Sequence, residues 1–311
     1  MKILCVGMMI CDTILSPVPK EIMQMDAAAI NRPVMSCGGD ALNTAVGLGK
    51  LSCDVTVCGK IGDDASGRFL LQECARYGVK TDAVVIDAGM PTSDSFALID
   101  AHGERHFLTE RTMFHSFSFK DIDPAHIRAA DIVCVGSCMC MDHMDEGGIE
   151  NIFRIAHESG AVTVMDAALA DRPESDWMRV LGGAFRETDI FFPSMQEAHE
   201  ITGSDTPEEI AEAFRPFGMK LFGIKLGERG CFATDFSEAR YIDCPHDFPV
   251  VNTSGAGDAF MAGLVCALSH GMNLFECVKF GTVIGSMNVA SEATSGGIPS
   301  FSEAEAYFRK L

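Results

Sequence analysis

The sequence predicts an α/β protein built on a mostly parallel sheet, and three observations carry that prediction. Short apolar runs of five or six residues alternate with helix-period stretches along most of the chain. The runs are near-continuously apolar, as strands covered on both faces are. One region departs from this rhythm. Ser93–Asp100 and Glu104–Glu110 alternate in polarity around Ala101-His102-Gly103, the pattern of an antiparallel hairpin.

In chain order, the strand candidates are Lys2–Ile10, Asp54–Gly59, Asp131–Gly136, Ala161–Asp166, Asp189–Phe192 and Leu221–Lys225. Helix-period stretches lie between them at Ala41–Leu51, Ala65–Tyr77, Asp145–Ser159 and Asp176–Glu187. This alternation gives βαβ units, hence a sheet with helices on both faces. The stretch after Asp12 and Arg32–Ser36 join the hairpin as strands of a small accessory sheet. An apolar strand at Val250-Val251 runs into Gly255-Ala256-Gly257, where a long helix begins. Its Ala259, Phe260, Gly263, Leu264, Ala267 and Leu268 fall on one face. A last helix, Leu274–Ala290, is apolar nearly all round and is expected to be buried. At 311 residues, without linkers or repeats, residues 1–311 read as one domain, with accessory strands inserted from about 12–18, 32–37 and 93–111.

Composition narrows the function. Hydrophobic residues at 47% and charged residues at 22% are those of a soluble globular chain. No apolar run approaches the roughly 18 residues of a membrane span. The first fifteen residues carry one lysine and are interrupted by Asp12, so they read as a buried strand rather than a leader, in a cytoplasmic protein. With 24 basic against 44 acidic residues and a net charge of -20, nucleic-acid binding through a basic surface is excluded. The 13 cysteines are odd in number and sparse for a disulfide scaffold, and read as reduced thiols. Cys138, Cys140 and His143 lack a second ligand pair and read as a loop after a strand rather than a metal site.

Two segments carry chemistry. In Val250-Val-Asn-Thr-Ser-Gly-Ala-Gly-Asp258, small residues let backbone N–H groups approach a ligand at a helix N-terminus. Such an end favours an anion, most naturally a phosphate. Asp258 sits in the first turn, where a neighbouring polyphosphate raises carboxylate basicity and suits it to take a hydroxyl proton. The plainer reading is an acidic residue stabilising a helix end. Neither a Walker loop nor a dinucleotide-binding glycine fingerprint is present. The second segment, Cys37-Gly-Gly-Asp-Ala-Leu-Asn-Thr-Ala45, opens a helix with two glycines and places an amide in its first turn. An amide donates to and accepts from a polyol. The alternative is an ordinary helix start with Asp40 as its cap.

In the same order and separation, these segments resemble the two signature regions of the PfkB/ribokinase-type carbohydrate kinases. The first extends from Gly38-Gly39 through Asn43 to Gly59-Lys-Ile-Gly-Asp-Asp64 and Gly67, and the second is Asn252 to Phe260. Asp12, Ser194-Met-Gln-Glu197 with Thr202-Gly203, and Lys225-Leu-Gly-Glu-Arg-Gly230 also match, so the resemblance covers nearly the whole chain. It implies a ribokinase-like three-layer sandwich with a mostly parallel central sheet and a small β-sheet lid. The implied activity is ATP- and Mg²⁺-dependent phosphorylation of a hydroxymethyl group on a small sugar or sugar acid. Asp258 would be the general base and Gly255, Ala256 and Gly257 the anion hole. Asp12, Gly39, Asp40 and Asn43 would hold the acceptor, with Arg105 as a contact to a sugar-acid carboxylate. Lys225, Gly227, Gly230 and Thr282 would line the nucleotide, and Glu197 and Asp166 would act around Mg²⁺. Two subunits would pair through the lid.

Two positions depart from the family pattern. Ser194 stands where the family has Asn, and Ser194 with Glu197 also makes a capping box that needs no metal. Asn252 replaces a more usual Asp, which leaves activation by K⁺ open. A nucleoside kinase with Phe96, Phe107 or Phe114 as a base shelf stays open as an alternative. So does a catalytically silent sugar- or nucleotide-binding protein.

Overall fold

The computed structural model describes residues 1–102, 104–169, 175–291 and 293–311. Its strands are β1 (Lys2–Val6), β2 (Ile10–Leu15), β3 (Val34–Gly38), β4 (Asp54–Cys58), β5 (Lys60–Gly62), β6 (Val85–Asp87), β7 (Ser93–Ile99), β8 (Arg105–Thr109), β9 (Ile132–Cys138), β10 (Val162–Ala167), β11 (Ile190–Phe191), β12 (Leu221–Lys225), β13 (Cys231–Thr234) and β14 (Ala239–Ile242). The α-helices are α1 (Asp40–Lys50), α2 (Ala65–Arg76), α3 (Pro124–Arg128), α4 (Ile149–Glu158), α5 (Trp177–Val180), α6 (Gly182–Arg186), α7 (Met195–Thr202), α8 (Pro207–Phe214), α9 (Ala256–Ser269), α10 (Leu274–Asn288) and α11 (Phe301–Phe308).

The large sheet has eight strands in the order β14-β13-β12-β11-β10-β9-β1-β4. From β4 to β12 neighbouring strands are parallel, and β13 and β14 close the edge antiparallel. Alternate residues of each strand enter two separate cores. Ile3 and Cys5 pack with α1, α9 and α10, while Leu4 and Val6 pack with α4, α6 and α8. The result is three layers, helix on sheet on helix, as the near-continuous apolar strands predict. Because β9, β10, β11 and β12 are parallel, their carboxyl ends share one edge, where open α/β sheets bind ligands.

A second sheet, β3-β2-β7-β8, stands apart. Its register aligns Ser36, Asp12, Ser95 and Thr109 in one row across all four strands. The opposite face rests on α2, where the Ser66 hydroxyl donates to Asp94 at 2.7 Å. The expected hairpin is present as β7 and β8, joined by β2 and β3.

Several sequence expectations need correction. The run Lys2–Ile10 is two strands, because Gly7 (φ +148°) lies against the Gly136 carbonyl, where a Cβ would come within 2.7 Å. The chain turns there and β2 leaves for the second sheet, so Asp12 lies inside a strand rather than after one. Val250-Val251 is not a strand. Both side chains are exposed, and the Val251 and Asn252 N–H groups donate to the Val289 carbonyl. The backbone of this segment turns onto the C-terminal end of α10 instead of running alongside a strand. Asp176–Glu187 is split at Leu181 into α5 and α6. The helix expected from Asp145 begins at Ile149, after a turn in which Glu146 and Gly147 leave helical geometry. Among the described residues, no helix is long and apolar enough to cross a membrane.

Helices α9 and α10 meet through glycine. A Cβ on Gly263 would fall 2.7 Å from Ile284 Cγ1 and 3.0 Å from the Gly281 Cα. Helix propensity favours alanine there by about 1 kcal/mol, but overpacking a closed core costs about 1–3 kcal/mol. Gly263→Ala is therefore expected to lower the urea midpoint without changing the slope of the transition. An unchanged or higher midpoint would show that the two helices separate easily.

Candidate active site

Five elements bring their carboxyl or amino termini to the same edge of the large sheet. Strand β10 carries Asp166 next to its last residue and β12 ends with Lys225, and the Lys225 ammonium donates to both Asp166 oxygens at 2.6 Å. After β11, Ser194 caps α7 and places Glu197 in its first turn. The glycine turn before α1 brings Asp40 and Asn43 over the same edge, and the start of α9 brings Asp258. The Asn43 amide donates to Asp258 Oδ2 at 2.8 Å across 215 positions of sequence. Six of the residues singled out from sequence thus gather in one place: Asp40, Asn43, Asp166, Glu197, Lys225 and Asp258.

Their charges are coupled. Burial pushes Asp258 up to about 6, with Asp166 and Glu197 adding to the shift and Asn43 and Lys225 opposing it. Asp40 is pushed up to about 8 by burial, then by Asp258 and Glu197. Burial also raises Asp166, against the pull of Lys225. For Lys225 burial works against the charge, yet Asp166, Glu197 and Asp258 outweigh it and hold the ammonium protonated. Glu197 completes a reciprocal capping box: its Oε2 accepts the Ser194 N–H at 2.6 Å, and its own N–H donates to the Ser194 hydroxyl at 3.3 Å.

Gly255 caps α9 in the left-handed region (φ +73°) and presses on the Thr294 carbonyl, which a Cβ would approach to 2.1 Å. The N–H groups of Gly257 and Asp258 have no partner within the helix, as in any first turn. Gly257 faces Lys225, whose Nζ lies 3.4 Å from where its Cβ would be. Backbone donors, a helix N-terminus and an ammonium therefore converge on one spot. Gly39 (φ +83°) is equally constrained, its Cβ position lying 2.4 Å from the Met8 carbonyl.

Asp12 leans over Gly38, whose Cβ position is 2.3 Å from the Asp12 carboxylate. Burial pushes Asp12 up to about 6, with the Ser95 hydroxyl working the other way. Arg105 pairs with Ile99 through its backbone at the far end of the hairpin, and its side chain lies outside the described residues. Gly227 and Gly230 bracket a tight turn after β12 with φ of +63° and +79°, closed by the Leu226 N–H on the Gly230 carbonyl. Thr282 is buried in α10, and its hydroxyl donates to the Lys279 carbonyl at 2.7 Å. Asn252 Oδ1 accepts the Ser254 N–H at 2.9 Å. Phe96 and Phe107 are exposed, whereas Phe114 is buried and lines a pocket with Met8, Ser93, Met113 and Met141. Cys138 and Cys140 are buried thiols that burial pushes up, and the Cys140 Sγ donates to the Leu169 carbonyl.

Other residues at the site carried no sequence signal. Ser137, next to last in β9, has a positive φ (+64°), and its buried hydroxyl finds no hydrogen-bond partner among the described residues. Asp145 is buried and accepts the Met139 and Met141 N–H groups at 3.0 Å each, fixing the loop after β9. Thr294 and Asn288 support the Gly255 turn from behind. Hydroxyl, acid and amide residues of these types occur in many loops, and only the fold shows what they face.

The buried Asp40 Oδ2, Asn43 Oδ1 and Ser137 Oγ are all unpartnered, which fits a hydroxyl-bearing ligand that both donates and accepts. The Gly255–Gly257 cradle beside Lys225 fits a phosphate. No three acidic, histidine or cysteine side chains among the described residues could hold a metal alone. Mg²⁺ carried on phosphates needs just one or two protein carboxylates, and Asp166 and Glu197 stand beside that cradle.

The profile of the pfkB family carbohydrate kinases matches residues 1–300. An uncharacterized sugar kinase of Archaeoglobus fulgidus is 28% identical over 256 residues, which cover 82% of this chain and 98% of that one. Fructokinase-1 of Zea mays is 30% identical over 287 residues, 86% of each chain. The crystal structure of a candidate ribokinase II from E. coli, in complex with ATP and Mg²⁺, superposes with a TM-score of 0.85 at 19% identity, over 100% of this chain and 99% of that one. The fold is thus ribokinase-like, and the chain belongs to the pfkB family of carbohydrate kinases.

Proposed function

We propose that this carbohydrate kinase phosphorylates a hydroxymethyl group of a small sugar or sugar acid, with Asp258 as the general base. The observation that carries this reading is the placing of Asp258 in the first turn of α9, one oxygen held by Asn43. That grip orients the carboxylate while its other oxygen is available to an incoming hydroxyl. When bound, ATP supplies the transferred phosphoryl group and Mg²⁺ the charge that offsets its phosphates.

Asp258 takes the proton as the acceptor O–H bond breaks and the oxygen bonds to phosphorus. The leaving ADP oxygen keeps the electron pair of the broken P–O bond. The Gly255, Ala256 and Gly257 backbone at the helix N-terminus stabilises charge on the group in flight. Asp12, Gly39, Asp40 and Asn43 hold the acceptor hydroxyls. Gly227, Gly230 and Thr282 border the nucleotide. Lys225 would lie next to the phosphates, and Asp166 and Glu197 would hold Mg²⁺, which would supply charge to offset those phosphates. The exposed apolar residues Val34, Met35, Phe96, Phe107 and Leu108 suit pairing of two subunits through the second sheet.

Coupled ADP release with MgATP is the first test, run with D-ribose, D-fructose, a 2-keto-3-deoxy sugar acid and adenosine. Turnover with a sugar or sugar acid is expected, and turnover confined to adenosine would overturn the acceptor assignment. Asp258 must be ionised to accept a proton, and burial holds it at about 6. kcat/KM is therefore expected to fall as pH drops through about 6, and a profile flat from pH 5 to 8 would contradict the base.

Asp40 makes a second, independent expectation. Its carboxyl is pushed from 3.8 in the unfolded chain to about 8 when buried. A raised carboxylate costs nothing below the unfolded value, and its cost grows as pH rises toward the folded value. Asp40→Asn is thus expected to melt higher than the parent at pH 8, by a margin that shrinks toward pH 5. A margin independent of pH would show that Asp40 ionises freely in the folded protein.

A further inference from the structure

Thr294 touches both halves of the site. Its hydroxyl donates to the Cys37 carbonyl at 3.0 Å and shares a hydrogen bond with the Ser36 hydroxyl at 2.9 Å. Both partners belong to β3, the strand that runs directly into Gly38, Gly39 and the first turn of α1. On its other side, the Thr294 carbonyl packs against Gly255 and accepts from the Asn288 amide at 2.7 Å. Asn288 is fully buried, and the same amide nitrogen reaches the Gly255 carbonyl at 3.3 Å. The Asn288 Oδ1 accepts the Gly297 N–H at 3.2 Å, so this amide is fastened at both ends. The connection therefore runs from β3, through the Thr294 hydroxyl and carbonyl, to the Gly255 turn, with Asn288 bracing it.

We propose that Thr294 is a positioning residue that sets the distance between the acceptor-holding turn Gly38–Asn43 and the anion hole at Gly255–Gly257. The inference rests on the acceptor and anion-hole roles proposed above. Phosphoryl transfer needs the attacking oxygen and the phosphorus within near-attack distance, and a misplacement of about 1 Å costs about 10²-fold. A side chain that joins the two supports is where such a distance is set. ADP release without acceptor requires no acceptor hydroxyl in the Gly38–Asn43 turn, so it serves as the reference rate against which the connection is read.

Thr294→Val keeps the shape and removes both hydroxyl bonds, whereas Thr294→Ser keeps them. The measurement is ADP release with and without the best acceptor of the panel above, taken well below the melting temperature of each variant. Thr294→Val is expected to lose about 10- to 100-fold in acceptor-dependent kcat, with KM for ATP and acceptor-independent ADP release unchanged. Thr294→Ser is expected to return kcat to within about threefold of the parent. Should Thr294→Val not fold, Thr294→Ala removes the same bonds and carries the same expectation. A variant in which acceptor-dependent and acceptor-independent rates fall together, or neither falls, overturns the proposal. So does Thr294→Ser behaving as Thr294→Val does. A parent enzyme that transfers to no sugar or sugar acid overturns the acceptor reading itself, and this inference with it.

Discussion

The Lys225 ammonium, held by both oxygens of Asp166, stands among the carboxylates of Asp40, Glu197 and Asp258 at one edge of the sheet. Like charges this close raise each other's proton affinity, and burial raises it further. The fold tolerates the cluster because each group has a compensating partner or a raised proton affinity. Lys225 neutralises Asp166, Asn43 donates to Asp258, Ser194 donates to Glu197, and Asp40 is pushed up to about 8. Remove the ammonium and the balance tips toward protonation of Asp40, Asp166 and Asp258. The same cluster is costly to folding, as groups kept for chemistry often are.

Topology makes the cluster possible. Parallel strands deliver Ser137, Asp166 and Lys225 to one edge, and two helices that begin in glycine turns, α1 and α9, bring their first turns over it. Gly39 and Gly255 are needed there for positive φ and for close backbone approach, at 2.4 Å and 2.1 Å from where a Cβ would be. The second sheet adds Asp12 from outside the main layer, within a row of hydroxyls that no single strand carries alone. Thr294 and Asn288 join that sheet to the α9 turn, so the turns that open α1 and α9 share one framework.

The legible part of the sequence was local. Apolar runs alternating with helical patterns predicted the sheet and its layers, and the two glycine turns marked where α1 and α9 begin. Asp258 and Asn43 were readable within their own turns, but their 2.8 Å contact was not. Asn288, Thr294, Ser137 and Asp145 gave no signal, since each is an ordinary residue whose partners arrive from distant strands. Val250-Val251 misled because apolar residues suggest a strand, while their backbone turns onto the end of α10 and leaves both side chains exposed. Ser194 and Glu197 were ambiguous in sequence, and the capping box is present in the fold. Its presence does not compete with a role near phosphates, because it leaves Glu197 at the edge of the same cluster.

The central claim is that the Asp258 carboxylate, oriented by Asn43 at the α9 N-terminus, takes the acceptor proton. Asp258→Asn tests it most directly, because an amide keeps the size and retains an oxygen for the Asn43 donor while losing the base. Steady-state kinetics should show kcat lower by about 10²- to 10⁴-fold with KM for ATP nearly unchanged. A variant that keeps kcat within about tenfold of the parent would contradict the account and move the base elsewhere in the cluster.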